Sequence, residues 1–81
     1  IYTSPLCGFC TVAKNLLIKK GLDFNEYDVL KDPSLKSSMV VRANGSKTVP
    51  QIFINQHHIG GWEQLFGLDQ NGKLDEILSA K

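Results

Sequence analysis

The chain has 81 residues, of which 42% are hydrophobic and 21% are charged, and its formal net charge is +1. This length accommodates one domain, residues 1–81, with a modest core, and the near-neutral charge gives no reason to expect nucleic-acid or membrane partners. No apolar run approaches the roughly 20 residues of a membrane span, and the first residues lack the layout of a signal peptide. We therefore expect a cytoplasmic location, where a cysteine pair is more often catalytic or metal-binding than structural.

The first two predicted elements flank the only two cysteines. Ile1-Tyr2-Thr3 is β-branched and aromatic and predicts a strand, which residues 4–6 bring to an end. Apolar residues then recur at intervals of three and four up to residue 20, which predicts an amphipathic helix. Gly21 suits the position just after the end of that helix. The apolar side of the helix is predicted to consist of Phe9, Val12, Ala13, Leu16 and Leu17.

The middle of the chain predicts a second strand and a second helix. Residues 25–29 alternate aromatic or branched side chains with polar ones, which indicates a strand. Asp32-Pro33 predicts an N-cap followed by proline at the first helical position, and Asn44-Gly45 ends the helix. A strand, a helix and a strand in this order favour a parallel pair with a right-handed crossover. The buried face of this helix is predicted to be Leu35, Met39, Val40 and Ala43.

The last third predicts a hairpin followed by helices. Residues 48–54 and 57–60 indicate two strands joined by a tight turn at Asn55-Gln56. A helix follows Gly60-Gly61, residues 69–72 break it, and a final short helix contains Leu74, Ile77 and Leu78. The buried side of the first of these helices is predicted to be Trp62, Leu65, Phe66 and Leu68. The order βαβαββα predicts an α/β fold with a mixed sheet of about four strands flanked by helices.

Cys7-Gly8-Phe9-Cys10 stands where the first strand leads into the first helix. The two sulfurs would lie on one helix face at i and i+3, close enough for a disulfide to open and close. At the N-cap, Cys7 would face unpaired backbone N–H groups and the positive end of the helix dipole, which stabilise the reactive thiolate. Cys10 lies one turn further and is more covered. This arrangement predicts that Cys7 is the nucleophile and that Cys10 resolves a disulfide formed on it.

Two other interpretations of the cysteine pair fit the sequence less well. A static disulfide closing so short a loop would constrain the unfolded chain little. A zinc site would need His57 and His58 as further ligands, but these are adjacent, and neighbours on an extended segment point to opposite faces. A redox role is therefore the favoured interpretation.

Five features of the chain form a recognisable set: the CxxC motif, Ala13-Lys14, Leu17, the segment TVPQIFI at residues 48–54, and Ile59-Gly60-Gly61. Together they resemble the glutaredoxins of the thioredoxin superfamily, here of the dithiol type with a CGFC active site. The resemblance implies a thioredoxin-like fold and a cis Val49–Pro50 bond that turns the Val49 backbone towards a bound glutathione. It also implies that the amides at the start of the helix after Gly61 receive the γ-glutamyl carboxylate and that Glu63 meets the ammonium group. The glutathione contacts that it implies are Phe9, Thr48, Val49, Pro50, Gly61, Trp62 and Glu63.

Three positions depart from the family pattern. Ser4-Pro5-Leu6 lacks the lysine that family members usually carry before the first cysteine, and Lys47 or Arg42 is a candidate to compensate. Trp62 replaces a small residue and could narrow the groove. Gly8 stands where dithiol members usually have proline. The glycine loosens the turn and restores an N–H donor near Cys7.

Three functions follow as hypotheses. The leading one is a glutathione-dependent thiol–disulfide oxidoreductase that acts as a monomer on disulfide-containing or glutathionylated proteins. The alternative is a dimer that holds a [2Fe–2S] cluster through Cys7 of each chain and two glutathiones, as a cluster carrier or redox sensor. A reductase supplied directly by thioredoxin reductase is the third. No other metal site is expected.

Overall fold

The computed structural model describes residues 1–79, and side chains as far as residue 78. The described strands are Tyr2–Thr3 (β1), Tyr27–Asp28 (β2), Ile52–Ile54 (β3) and His57–Gly60 (β4). The described helices are Gly8–Lys19 (α1), Pro33–Arg42 (α2), Trp62–Gln70 (α3) and Lys73–Ser79 (α4). The predicted α/β order is confirmed, with α4 following α3 as the final short helix.

The strands form a mixed sheet from two pairs. In the first pair β1 and β2 are parallel, with Tyr2 opposite Tyr27, and in the second β3 and β4 form an antiparallel hairpin, with Ile54 opposite His57. A single antiparallel bridge joins the pairs, in which the Tyr2 N–H donates to the Gln51 carbonyl at 2.8 Å and the Gln51 N–H donates back at 3.1 Å. The spatial order is therefore β2-β1-β3-β4.

Strands β2 and β3 are markedly shorter than the sequence predicts, and β1 lacks only Ile1 of its predicted range. Within the predicted range 25–29 the strand is limited to Tyr27–Asp28, although the Val29 N–H still donates to the Thr3 carbonyl at 3.0 Å. The Asp28 carboxylate then accepts the N–H of Leu30 at 2.9 Å and begins a turn. Within the predicted range 48–54, strand geometry begins at Ile52, after the Gln51 bridge. Pro50 has no N–H to contribute to a ladder, so the segment before it is free to border a site instead.

The helix ends follow the predicted capping residues. Asp32 caps α2 through its carboxylate, which accepts the Ser34 N–H at 3.0 Å, and Pro33 opens the helix. Gly21 has a φ of 74° after α1, and Gly45 has a φ of 94° after α2, in the left-handed region that favours glycine. Helix α3 continues to Gln70, one residue past the predicted start of the break.

The core occupies both faces of the sheet. Neighbouring residues of a strand point to opposite faces, and Ile1 and Tyr2 accordingly belong to different buried clusters, as do Ile52 and Phe53. Helices α1, α3 and α4 contribute to the first cluster and α2 to the second. The first consists of Ile1, Ala13, Leu17, Ile52, Leu65 and Leu74, and the second of Tyr2, Val29 and Met39.

Two predicted helix faces need correction. On α1, Phe9 is 62% exposed and Val12 is 44% exposed, while the buried stripe is Cys10, Ala13 and Leu17. On α3, Phe66 is 45% exposed and only Leu65 is fully buried. In both helices the apolar pattern is wider than the stripe that the neighbouring elements cover. The predicted face of α2 is confirmed, with Met39 and Ala43 buried and Leu35 and Val40 packed beside them.

No helix formed by residues 1–79 has the length and apolar character needed to cross a membrane, the longest having 12 residues.

Candidate active site

Cys7 is the N-cap of α1. Its backbone is extended, with φ −104° and ψ 109°, and its Sγ accepts the backbone N–H of Cys10 at 3.2 Å. The thiol in turn donates to the carbonyl oxygen of Val49 at 3.4 Å, across 42 residues of chain. The side chain is half-buried and both cysteines are free thiols. The predicted backbone donor to the Cys7 sulfur is thus the N–H of Cys10.

Cys10 lies one turn into α1 and is 1% exposed. Burial, followed by the hydrogen bond with the Cys7 side chain, raises the pKa of the Cys10 thiol to about 12. The Ser4 backbone and the Lys14 charge oppose this shift but do not cancel it. The two cysteines of the motif therefore differ in access, and its raised pKa keeps Cys10 protonated, as expected for a pair that divides attack and resolution.

This difference predicts selective alkylation. Because the pKa of Cys10 is raised to about 12, Cys10 is a buried thiol at neutral pH, and iodoacetamide is expected to modify Cys7 alone. Peptide mass spectrometry after brief treatment of the native protein measures the modified position. Alkylation of both cysteines in urea is the control, and equal labelling of both in the native state would contradict the assignment.

The segment before β3 borders Cys7. The Val49–Pro50 peptide bond is cis, as the resemblance implied. The Val49 carbonyl accepts the Cys7 thiol, and among residues 1–79 nothing hydrogen-bonds to the Val49 N–H. A backbone N–H and C=O of one residue thus stand beside the sulfur at the place where a peptide could pair with them.

Gln64 fixes the turn that leads from β4 into α3. Its Oε1 accepts the Gly61 N–H at 2.9 Å, which is one half of a capping box. Gly60 has a φ of 119°, and a Cβ there would lie 2.9 Å from Gln64 Cγ, so the turn requires glycine at that position. Gln64 is not among the residues that the sequence predicts for this site. A glutamine at the third position after the N-cap was the available signal.

A cleft of about 230 Å³ opens between these segments. It contains every residue that the resemblance assigned to glutathione contacts, together with Gln64, and it adjoins Cys7 through Val49. The Trp62 ring forms part of the wall and lies 5.2 Å from the Phe66 ring, measured between centroids. The lining residues are Phe9, Thr48, Val49, Pro50, Gly61, Trp62, Glu63 and Gln64.

The two cations considered as replacements for the missing lysine differ in position. The Arg42 guanidinium donates to the Tyr2 hydroxyl at 2.7 Å and lies 4.2 Å above the Phe53 ring centroid. Arg42 lines a separate cleft of about 400 Å³, which contains neither cysteine and none of the predicted site residues. Lys47, in contrast, directly precedes Thr48 in the cleft wall, and within the described chain it is exposed and forms no ion pair. Lys47 is therefore the better candidate.

The sequence of this chain is similar to those of known proteins. Residues 1–59 match the family model described as Glutaredoxin. A probable glutaredoxin of Synechocystis sp. is 49% identical over 79 residues, which are 98% of this chain and 72% of that protein.

Solved structures agree with the sequence comparison. The glutaredoxin of Brucella melitensis superposes with a TM-score of 0.81 at 47% identity, covering 95% of this chain and 83% of that one. A buckwheat glutaredoxin–glutathione complex superposes with a TM-score of 0.86 at 25% identity, covering 96% of this chain and 73% of that one. With the family model covering most of the chain and a dithiol motif of matching spacing, this chain belongs to the glutaredoxins, a family of thiol–disulfide oxidoreductases.

Proposed function

We propose that this protein is a glutathione-dependent thiol–disulfide oxidoreductase that acts on glutathionylated proteins and protein disulfides. The observation that supports it most is the shared position of Val49, whose carbonyl contacts the Cys7 sulfur and whose backbone also lines the cleft. A peptide bound along Val49 would have its own sulfur beside Cys7. Glutathione is a peptide with a central cysteine, so the arrangement fits it.

The cleft offers groups for each part of glutathione. The free Val49 N–H and its carbonyl would pair with the backbone of the cysteinyl unit. At the N-terminus of α3, the amides of Trp62 and Glu63 would receive the γ-glutamyl carboxylate, and the Glu63 carboxylate would meet the ammonium group. The similarity in fold to the buckwheat glutaredoxin–glutathione complex supports this assignment.

The reaction consists of two thiol–disulfide exchanges. The Cys7 thiolate attacks the glutathione sulfur of a glutathionylated protein, a Cys7–glutathione disulfide forms, and the protein leaves as a thiolate that takes up a proton. A second glutathione, as thiolate, attacks the sulfur of the bound glutathione. Oxidised glutathione forms and the Cys7 thiolate is regenerated, so each turnover consumes two glutathione units, one of them delivered by the substrate.

A protein disulfide requires Cys10 as well. After Cys7 has formed a mixed disulfide with the substrate, the Cys10 thiolate attacks Cys7 Sγ, forms the Cys7–Cys10 disulfide and releases the second substrate thiolate. The hydrogen bond with the Cys7 thiol and the Cys7 charge both help to raise the pKa of Cys10 in the reduced protein. Both disappear once Cys7 is in the mixed disulfide, which leaves burial as the main obstacle to deprotonation.

The proposal is tested with one peptide prepared as two mixed disulfides, with glutathione and with mercaptoethanol. The wild type is expected to prefer the glutathione form. Glu63→Gln is expected to raise the KM for that form about two- to fivefold, with little change in kcat. This factor corresponds to the interaction free energy of an exposed charge pair.

Glu76→Gln, in the exposed part of α4, is the matched control and should leave the KM unchanged. Equal turnover of the two mixed disulfides by the wild type would contradict glutathione dependence.

The other hypotheses stay predictions. Within residues 1–79, no group of three or more His, Cys, Asp and Glu side chains is arranged to hold a metal ion, but a shared [2Fe–2S] cluster would need only Cys7 from each chain. Purification with glutathione would then give a brown dimer. Direct supply by thioredoxin reductase would appear as NADPH consumption without glutathione. The cytoplasmic location and the monomeric state also stay predictions.

A further inference from the structure

A hydrogen-bonded chain of side chains runs from strand β4 to the wall of the cleft. His58 Nε2 lies 2.7 Å from Gln51 Oε1. Gln51 Nε2 in turn donates to Ser46 Oγ at 2.9 Å and to Thr48 Oγ1 at 3.2 Å. Because the Gln51 amide nitrogen donates to the two hydroxyls, its oxygen faces His58 as an acceptor, so His58 Nε2 carries the hydrogen.

Gln51 is well placed to connect His58 rigidly to Thr48. It is 3% exposed, and its backbone is held to Tyr2 by the two hydrogen bonds that join the halves of the sheet. Its side chain therefore has little freedom except rotation of the amide, and Oε1 has His58 as its partner in the described chain. Removing that partner would leave a buried carbonyl unsatisfied and allow the amide to turn away from Thr48.

Thr48 lines the cleft next to Val49, whose carbonyl accepts the Cys7 thiol. We propose that His58 is a positioning residue, which holds Thr48 in the wall of the glutathione cleft through the buried Gln51 amide. The inference rests on the proposed function, since it concerns how the glutathione unit is held. His58 acts through Gln51 and touches neither the cleft nor the sulfur.

The His58 ring has a second contact that must be kept separate from the hydrogen bond. It is stacked on the Phe53 ring, with centroids 5.0 Å apart and an interplanar angle of 30°. His58→Phe keeps an aromatic ring for this stacking and removes the N–H donor. His58→Gln does the reverse, because its amide nitrogen is a donor at about the same reach as Nε2.

The test compares these variants in kcat/KM for the glutathionylated peptide and in the rate of Cys7 alkylation by iodoacetamide, which does not use the cleft. His58→Phe is expected to lower kcat/KM about two- to tenfold through a higher KM, with the alkylation rate unchanged. This factor corresponds to the net free energy of one hydrogen bond. His58→Gln should restore most of the loss. His57→Phe, at the exposed neighbouring position on β4, is the control and should match the wild type.

The outcomes separate the two proposals. If the wild type does not prefer the glutathione form of the peptide over the mercaptoethanol form, the proposed function and this inference both fail. If the wild type has that preference and His58→Phe keeps the wild-type KM, only the positioning role is overturned. A loss in His58→Gln as large as that in His58→Phe, or a parallel fall in the alkylation rate, would also overturn it, because the hydrogen bond would not then be the cause.

Discussion

Replacing Cys7 with serine is expected to reduce turnover of every disulfide substrate to the background rate, whereas Cys10→Ser keeps the reduction of glutathionylated peptide and loses the reduction of protein disulfides. Cys7 is the accessible sulfur at the start of α1, beside Val49 and the cleft, so each exchange begins on it. Cys10 is buried, with a pKa raised to about 12, and enters only when a mixed disulfide on Cys7 must be resolved from within the protein. Loss of Cys7 removes the nucleophile and loss of Cys10 removes one branch of the reaction.

The measurement is a coupled assay with the glutathionylated peptide and with a protein disulfide, run on both variants and the wild type. Thr11→Ser, next to Cys10 on the exposed side of α1, is a control for substitution in this turn and should retain both activities. Equal loss of the two activities in Cys7→Ser and Cys10→Ser would contradict the division of roles.

Two neighbouring residues of α3 are expected to differ strongly in their contribution to stability. Leu65 is fully buried in the core cluster, and Leu65→Ala is expected to lower the free energy of unfolding by about 2–5 kcal/mol. Phe66 is 45% exposed and its main ring contact is Trp62 at 5.2 Å, so Phe66→Ala is expected to cost about 0.5–1.5 kcal/mol. The total for a domain of this size is about 5–15 kcal/mol, which makes the first change severe.

Urea unfolding followed by circular dichroism measures both values. Leu65→Met, which keeps the side-chain volume nearly unchanged, is the matched control and should cost less than about 1.5 kcal/mol. A cost for Phe66→Ala equal to that for Leu65→Ala would mean that the wider apolar face predicted from the sequence was the correct one.

Much of the fold follows from local signals in the chain. Asp32-Pro33 marks the start of α2, and Gly21 and Asn44-Gly45 mark helix ends, because capping and left-handed conformations depend on a few adjacent residues. The extents of β2 and β3 were predicted less well. A strand ends where its partner ends, and nothing in residues 48–51 indicates which neighbour will pair with them.

The candidate site likewise has one part that local sequence predicts and another that it does not. The place of Cys7 at the head of a helix could be predicted from spacing, since helix geometry alone puts the Cys10 N–H at its sulfur. The resemblance to a known family, rather than any local signal, supplied the list of cleft residues. Gln64 occupies a recognisable capping position, but the sequence did not indicate that it belongs to the site. Its contact with Gly61 becomes relevant to ligand binding only because Gly61 lines the cleft.

Residues close in the sequence therefore determined the helices, their caps and the proximity of two cysteines one turn apart, because these depend on interactions within a few residues. Only the folded chain decided that the Val49 carbonyl meets the Cys7 thiol across 42 residues, that the Arg42 guanidinium donates to the Tyr2 hydroxyl, and that Phe66 stays exposed. Such contacts depend on how the strands pair and how the helices pack on the sheet. That packing minimises exposed apolar area over the whole molecule, and no short stretch of sequence contains the information.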